Sequence, residues 1–297
     1  MNPELETVFF EREGRLDKLL SRALPYSRSI LQKLIKEGAV QVDGEIVCDK
    51  SYSCSGDEKV TVEISEEAFS DRIKPEDGPL EMLYEDEFLL AVNKPAGMIV
   101  HPTGGVKAGT LVNRLLYHYP ELEKVGGAQR SGLVHRLDRG TSGVVLIARS
   151  NKILAELQQQ FKDKAVKKTY RAVLGGELAD SRLRIEVPIA RHPHNPLLRR
   201  AAAAGKKAVT KLQVAGRGRG LTSVWCYPLT GRTHQIRIHC KYINHPVLGD
   251  KKYGGKKAER LMLHAEKISF KHPLTDKIIK VETEPPREVL ERWQKQV

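Results

Sequence analysis

From Glu63 to Pro79 the chain abandons apolar periodicity for acids and breakers: Glu63, Glu66, Glu67, Asp71, Glu76, Asp77, Gly78 and Pro79. A stretch of that kind cannot cross a core. The sequence therefore predicts two separately packed units, 13–62 and 80–297, joined by a linker over 63–79. With 297 residues, 40% of them hydrophobic, the chain holds enough apolar material for one large core and one small one.

The smaller unit has a short amphipathic pattern at Leu16, Leu19, Leu20 and Ala23 that ends before Pro25. A second helix, opened by Ser27 or Ser29, turns Ile30, Leu31, Leu34 and Ile35 inward and stops at Gly38. Ala39–Val42 and Glu45–Val47 flank Asp43-Gly44, a pair suited to a two-residue hairpin turn. This order of helix, helix and hairpin, with Arg15-Leu16-Asp17-Lys18-Leu19-Leu20 and Gly38-Ala39-Val40-Gln41-Val42-Asp43-Gly44, resembles the S4-like RNA-binding domain, a small α/β unit. Arg28 and Lys33, with Lys36 and the amides opening the second helix, would hold phosphate oxygens. A small helical lid whose cations merely face water has the same pattern.

In the larger unit, Phe88–Val92, Val144–Ala148, Thr169–Leu174 and Leu221–Tyr227 read as strands, and Met98–Val100 is a further apolar step after the turn at 93–97. Ile153, Leu154, Leu157 and Phe161 mark a helix. Strand and helix do not alternate regularly, which favours an α+β fold with a central mixed, largely antiparallel sheet.

The segment from Gly132 to Gly143 sets one carboxylate, Asp138, between Arg136 and Arg139 in a loop that runs into the apolar strand. On local chemistry alone a structural ion pair accounts for Asp138 as well as catalysis does. His135-Arg136-Leu137-Asp138 with Thr141-Ser142-Gly143 resembles the signature of the RluA-type pseudouridine synthases. Val92-Asn93-Lys94-Pro95-Ala96-Gly97, Val100-His101-Pro102, Lys168-Thr169-Tyr170-Arg171-Ala172, Leu229 to Arg237, His245 to Asp250 and Leu261 to Ala265 continue the likeness in order, from about Pro79 onward. With the S4-like domain, it is nearest to the enzymes of that family that act on large-subunit ribosomal RNA.

The resemblance implies a pseudouridine synthase fold and an isomerase that breaks the bond from ribose C1′ to uracil N1, turns the base and rejoins it through C5. Asp138 would act on the sugar as base or nucleophile. Arg237, on a helix opened by Thr230 or Thr233, would be its partner. Arg136 would fill the space that the flipped uridine leaves, Tyr170 would face the uracil, and Ile236 would line the apolar side. Such chemistry calls for no cofactor and no metal. His234 and His239 lie five apart and diverge on a helix, so they are not read as a zinc pair.

Lys and Arg number 50 against 37 acids, a formal charge of +13 that draws the molecule to polyanions. Eight of the cations fall between Arg191 and Arg219 with no acid among them. Arg191, Arg199, Arg200, Lys206 and Lys207 belong to a run that resembles a family loop closing over RNA, although Ala201–Ala204 departs from it. Gly216-Arg217-Gly218-Arg219-Gly220 reads as a mobile basic turn, and Leu290 and Trp293 as part of a final docking helix. The expected partner is structured RNA, ribosomal RNA or an assembling large subunit. Transfer RNA, or a noncatalytic role in binding or folding RNA, are the alternatives. A metal-dependent nuclease would need a cluster of carboxylates, where the motifs offer one. The first twenty residues are too charged for a signal peptide, and no stretch approaches a membrane span. Cys48, Cys54, Cys226 and Cys240 form no CxxC pair. A cytoplasmic monomer is expected.

Overall fold

The computed structural model describes residues 4–10, 12–26, 28–64, 73–103, 105–127 and 131–293. It falls into two compact units, one drawn mainly from Met1–Lys74 and one from Pro75–Gly126 with Ser131–Val297. Among the described residues no helix is long and apolar enough to cross a membrane.

The first unit runs β1 (Glu4–Phe9), β2 (Gly14–Arg15), α1 (Leu16–Ala23), α2 (Arg28–Lys36), β3 (Val40–Val42), β4 (Glu45–Ile46), β5 (Ser53–Cys54) and β6 (Lys59–Ile64). Leu16, Leu19, Leu20, Leu31, Leu34 and Ile35 are buried with Val40, Val42, Val60 and Val62 of the sheet. Asp43 and Gly44 both adopt positive φ, as a two-residue hairpin requires. At the end of α2, Gly38 has φ 78° and the Ala39 amide reaches back to the Leu34 carbonyl at 3.0 Å, so the chain can turn directly into β3. Ser27, one expected cap, lies outside the described residues. The unit begins earlier than residue 13, because β1 pairs antiparallel with β6 along its whole length.

The stretch read as a linker is also more structured at its ends. Glu63 and Ile64 complete β6. Further on, the Glu76 amide donates to the Asn113 carbonyl at 3.0 Å, and Arg114 donates to the Pro79 carbonyl at 2.7 Å. Glu66, Glu67 and Asp71 lie outside the described residues.

The second unit holds β7 (Glu81–Glu85), β8 (Leu89–Lys94), α3 (Leu111–His118), β9 (Ser142–Ala148), α4 (Asn151–Lys162), β10 (Lys167–Gly175), β11 (Arg182–Glu186), β12 (Ile189–Arg191), β13 (Arg199–Ala201), β14 (Val209–Gly218), β15 (Leu221–Pro228), α5 (Gln235–Tyr242), β16 (Leu263–Lys271), β17 (Ile278–Glu282) and α6 (Arg287–Glu291). The main sheet has the order β11-β14-β15-β10-β16-β9-β8-β7, with β17 also on β16. Among its described pairings, β9 with β16 is parallel and the others are antiparallel, so the sheet is mixed and largely antiparallel. All seven residues of β9 are buried, consistent with its unbroken apolar run in the interior of the sheet.

The apolar step Met98–Val100 is a loop. Its carbonyls are taken by the start of α3: Leu111 N donates to Ile99 O at 2.9 Å and Val112 N to Val100 O at 3.1 Å. The Gly-Arg repeat is not a mobile turn. It forms the end of β14 and the tight turn into β15, where Arg217 Nε donates to the Leu178 carbonyl at 2.6 Å. A Cβ on Gly216 would lie 2.2 Å from the Trp293 ring, so the glycine leaves room for the docked indole.

Gly143 is required where β9 pairs with β16. Its φ is +114°, and an added Cβ would sit 2.2 Å from the Ala265 carbonyl oxygen. Gly143→Ala is expected to cost roughly 2–3 kcal/mol, because both the backbone and a rigid neighbour oppose it. A denaturant midpoint unchanged from wild type would exclude that account.

Candidate active site

The loop from Ser131 to Thr141 is held along its length by β9 and the end of β8. Gly132 N donates to Val125 O at 2.8 Å, Ala148 N donates to Gly132 O at 2.8 Å, and Val134 N donates to Leu146 O at 3.2 Å. At the other end Gly97 N donates to Arg139 O at 2.8 Å, and Thr141 N donates to Asp138 O at 3.0 Å. Lys94, fully buried, spans both sides of the join: its Nζ donates to Pro95 O at 2.7 Å, Met98 O at 2.9 Å and Arg139 O at 3.4 Å. Burial brings the Lys94 ammonium down to about 7, Arg260 adding to the fall and Asp138 opposing it. Asp138 therefore hangs from a pinned backbone, with its side chain 21% exposed.

Arg237 Nη1 donates to Asp138 Oδ2 at 3.0 Å. The same guanidinium is gripped from behind by Asp250, with Nε to Oδ2 at 2.7 Å and Nη2 to Oδ1 at 2.8 Å. Burial alone would lower the Arg237 pKa, but the hydrogen bonds and charge of Asp250, helped by Asp138, outweigh it and raise it. The two-point grip fixes the plane of the guanidinium and aims its remaining nitrogen at Asp138. Asp138 Oδ1 faces His234 Nε2 at 3.8 Å, beyond hydrogen-bonding distance.

The helix carrying Arg237 is not opened by Thr230 or Thr233. Its N-cap is His234, in the left-handed region at φ 59°, with no side-chain cap. Gln235 is the reason: its Oε1 accepts from Thr230 Oγ1 at 2.6 Å and from Arg232 N at 3.1 Å. Thr230 is thereby tied to the first helical residue rather than to the helix amides.

Above Asp138 opens a cavity of about 330 Å³ lined by Arg136, Tyr170, Ile236 and Arg237, together with His135, Phe161 and Lys168. The five residues expected at the centre are thus brought together. Tyr170 sits at a register shift between Thr169 and Arg171 against β16, where a bulge re-aims a side chain. Burial, with the Asp138 charge, raises the phenol's pKa, so Tyr170 stays neutral and offers a ring face. Arg136 is exposed at the cavity mouth, 3.4 Å from His101 Nε2. His135 stacks on Phe161 at 5.0 Å and accepts from Leu146 N at 3.1 Å.

Three histidines of this unit are held neutral, chiefly by burial: His135 is brought down to about 3, and His234 and His264 to about 4. In the unfolded chain they titrate near the ordinary 6.5, so between about pH 6.5 and 4 the unfolded state binds protons that the folded state refuses. Stability is therefore complete above that window and falls with acid. By pH 5 each histidine is expected to cost roughly 1–2 kcal/mol. Urea midpoints at pH 7.5 and pH 5 provide the check, and equal midpoints would count against the neutral assignments.

Arg191, Arg199 and Lys206 line a neighbouring recess with Gly231, Arg232 and Thr233. The Arg199 guanidinium is partly occupied, donating to the Pro196 and Leu198 carbonyls at 2.7 and 2.8 Å and so closing its own hairpin. Arg200 and Lys207 are exposed. In the first unit Arg28 is oriented by fully buried Asp17, which it meets at 2.7 Å and which also accepts from Arg15 and Gln32. Lys33 lies on the same helix. Sequence reasoning gave no role to Lys94, His234, Asp250, Tyr253 or Arg232, although all but Tyr253 fall in segments it quoted or weighed. A Tyr three residues past a buried Asp carried no signal of its own.

Residues 88–242 match the RNA pseudouridylate synthase family, and residues 14–60 match the S4 domain. An uncharacterized RNA pseudouridine synthase of Aquifex aeolicus is 40% identical, over 95% of this chain and 94% of its own. The ribosomal large subunit pseudouridine synthase D of Neisseria meningitidis serogroup A is 39% identical, over 93% of this chain and 77% of its own. Among solved structures, human RNA pseudouridylate synthase domain containing 1 has a TM-score of 0.59 at 29% identity, over 71% of this chain and 86% of that one. Human RNA pseudouridylate synthase domain containing 4, at 23% identity and a TM-score of 0.57 over 71% and 90%, shares the fold.

Proposed function

The chain belongs to the RNA pseudouridylate synthase family and is an isomerase acting on RNA, and from that premise we propose that it converts particular uridines of large-subunit ribosomal RNA, with Asp138 as its essential carboxylate. The observation that carries the assignment to Asp138 is the chain of contacts Asp138–Arg237–Asp250 at the floor of the Tyr170-lined cavity. One carboxylate oxygen is held by a fixed guanidinium while the other is left for the substrate. The reaction breaks C1′–N1 and forms C1′–C5; the proton at C5 is lost and N1 ends protonated. An ionised Asp138 serves attack at C1′ and proton removal at C2′ alike.

Taking a uridine out of its stack costs a few kcal/mol, which Tyr170 stacking on the flipped base would offset in part. Ile236 would close the apolar side, and Arg136, exposed at the mouth, would fill the vacated stack. Arg191, Arg199, Arg200, Lys206 and Lys207 would hold the flanking phosphates, as would Arg28 and Lys33 of the S4 unit. The printed name of the Neisseria relative supports a large-subunit target. Naked ribosomal RNA or an assembling subunit is then the working partner, and the protein acts as a monomer in the cytoplasm.

The test follows release of tritium from C5-labelled uridine in three substrates: naked large-subunit RNA, partly assembled subunits, and transfer RNA. Release from either large-subunit form and not from transfer RNA is expected. Release from transfer RNA alone would overturn the ribosomal assignment.

A further inference from the structure

Tyr253 is 4% exposed and contacts both groups that the structure pairs with the Asp138 carboxylate, His234 and Arg237. Its hydroxyl accepts from the Arg199 amide of β13 at 3.1 Å and lies 2.7 Å from His234 Nδ1. Its ring stands edge-on to His234, centroids 5.5 Å apart, and beneath the Arg237 guanidinium at 5.0 Å. The ring also packs with Ile189, Ala201, Ala208 and Ile238, where the basic hairpin β12–β13 meets α5.

The direction of these hydrogen bonds follows from donor arithmetic. The Arg199 amide can only donate, so of the two partners the structure gives the buried Tyr253 hydroxyl, only His234 Nδ1 can accept its proton. A neutral imidazole that accepts at Nδ1 carries its proton on Nε2. That N–H faces Asp138 Oδ1, the oxygen that Arg237 leaves open. His234 is held there in a left-handed backbone conformation, uncommon for a residue with a side chain and concentrated at functional sites.

We infer that Tyr253 and His234 are positioning residues: a hydrogen-bond relay runs from the backbone of the β12–β13 hairpin through Tyr253 to His234, fixing the imidazole tautomer and aiming its Nε2–H at the free oxygen of Asp138 across 3.8 Å. The inference rests on Asp138 being the reacting carboxylate. It makes the seating of the β12–β13 hairpin a condition for a correctly set active site, so grip on RNA and readiness for chemistry are joined through one hydroxyl.

The experiment is a double-mutant cycle on the full chain with C5-tritiated large-subunit RNA, reading kcat, KM and thermal midpoint. Tyr253→Phe keeps the ring contacts and removes the relay. It is expected to lower kcat about tenfold, with KM and thermal midpoint close to wild type. His234→Asn tolerates the left-handed backbone but lacks the distal N–H, and is expected to lose at least as much. His234→Gln, with an amide reaching nearer the Nε2 position, should recover part of the loss. Adding Tyr253→Phe to His234→Asn should cost nothing more, because the relay is already cut. Wild-type kcat in Tyr253→Phe, or losses that multiply in the double variant, would overturn the inference. Asp138→Asn run alongside separates the two readings: an inactive Asp138→Asn with a fully active Tyr253→Phe sinks the relay alone, whereas an active Asp138→Asn sinks the assignment of the carboxylate.

Discussion

Asp250→Asn is expected to cost about 3–5 kcal/mol of folding stability and to disable catalysis in whatever protein remains folded. The carboxylate is buried to 1% exposure and satisfies two guanidinium nitrogens of Arg237, itself only 7% exposed. It also accepts from the Lys252 and Tyr253 amides at 3.1 and 3.2 Å. An amide in its place keeps the volume but presents N–H groups to a cation and to backbone donors. Arg237 would then turn towards Asp138, its remaining anion, and abandon the geometry that leaves Oδ1 free. Chemical denaturation followed by far-UV circular dichroism, with activity assayed at a temperature where the variant is folded, measures both effects. A variant as stable and active as wild type would mean that the buried grip on Arg237 is dispensable.

Asp138→Asn is expected to lower the rate of pseudouridine formation by roughly 10³–10⁴-fold or more, since the amide is neither a base nor a nucleophile at the sugar. Folding should hardly change. Asp138 is partly exposed, and Asp250 remains to pair Arg237, so no buried charge is orphaned. RNA binding should be unchanged or slightly tighter, because a negative charge has been taken from a basic surface. Single-turnover rates with enzyme in excess, set beside filter-binding affinities at the same salt, separate chemistry from binding. A rate within tenfold of wild type would show that another group does the work assigned to Asp138.

Much of this was legible in the sequence, for identifiable reasons. The unbroken apolar run Val144–Ala148 marks an interior strand because both of its faces are covered, and the Asp43-Gly44 turn left few backbone options. Arg136, Asp138, Tyr170, Ile236 and Arg237 were named together through resemblance, and they line one cavity. What was not legible depends on long-range convergence. Lys94 acts by holding the Arg139 carbonyl 45 residues away, and Asp250 acts on a guanidinium 13 residues before it. Neither spacing has a local period to betray it. The helix start was misplaced because Thr230 and Thr233 look like caps, whereas the Gln235 side chain engages Thr230 and leaves His234 in the left-handed position. The Gly-Arg repeat looked mobile because glycine suggests freedom. Here it provides clearance for Trp293, which no nearby residue announces.

The most direct test of the account counts two products in the same RNA. Large-subunit ribosomal RNA lacking its modifications, tritiated at uridine C5, is incubated with the wild-type protein, and released tritium is compared with newly formed pseudouridine and with abasic sites. Tritium release matching the pseudouridine formed, with no abasic sites, is the outcome expected of an isomerase whose cavity holds the base until C5 rejoins the sugar. RNA that is bound but yields neither tritium nor pseudouridine, in any assembly state, would contradict it and leave a protein that grips RNA without rearranging it.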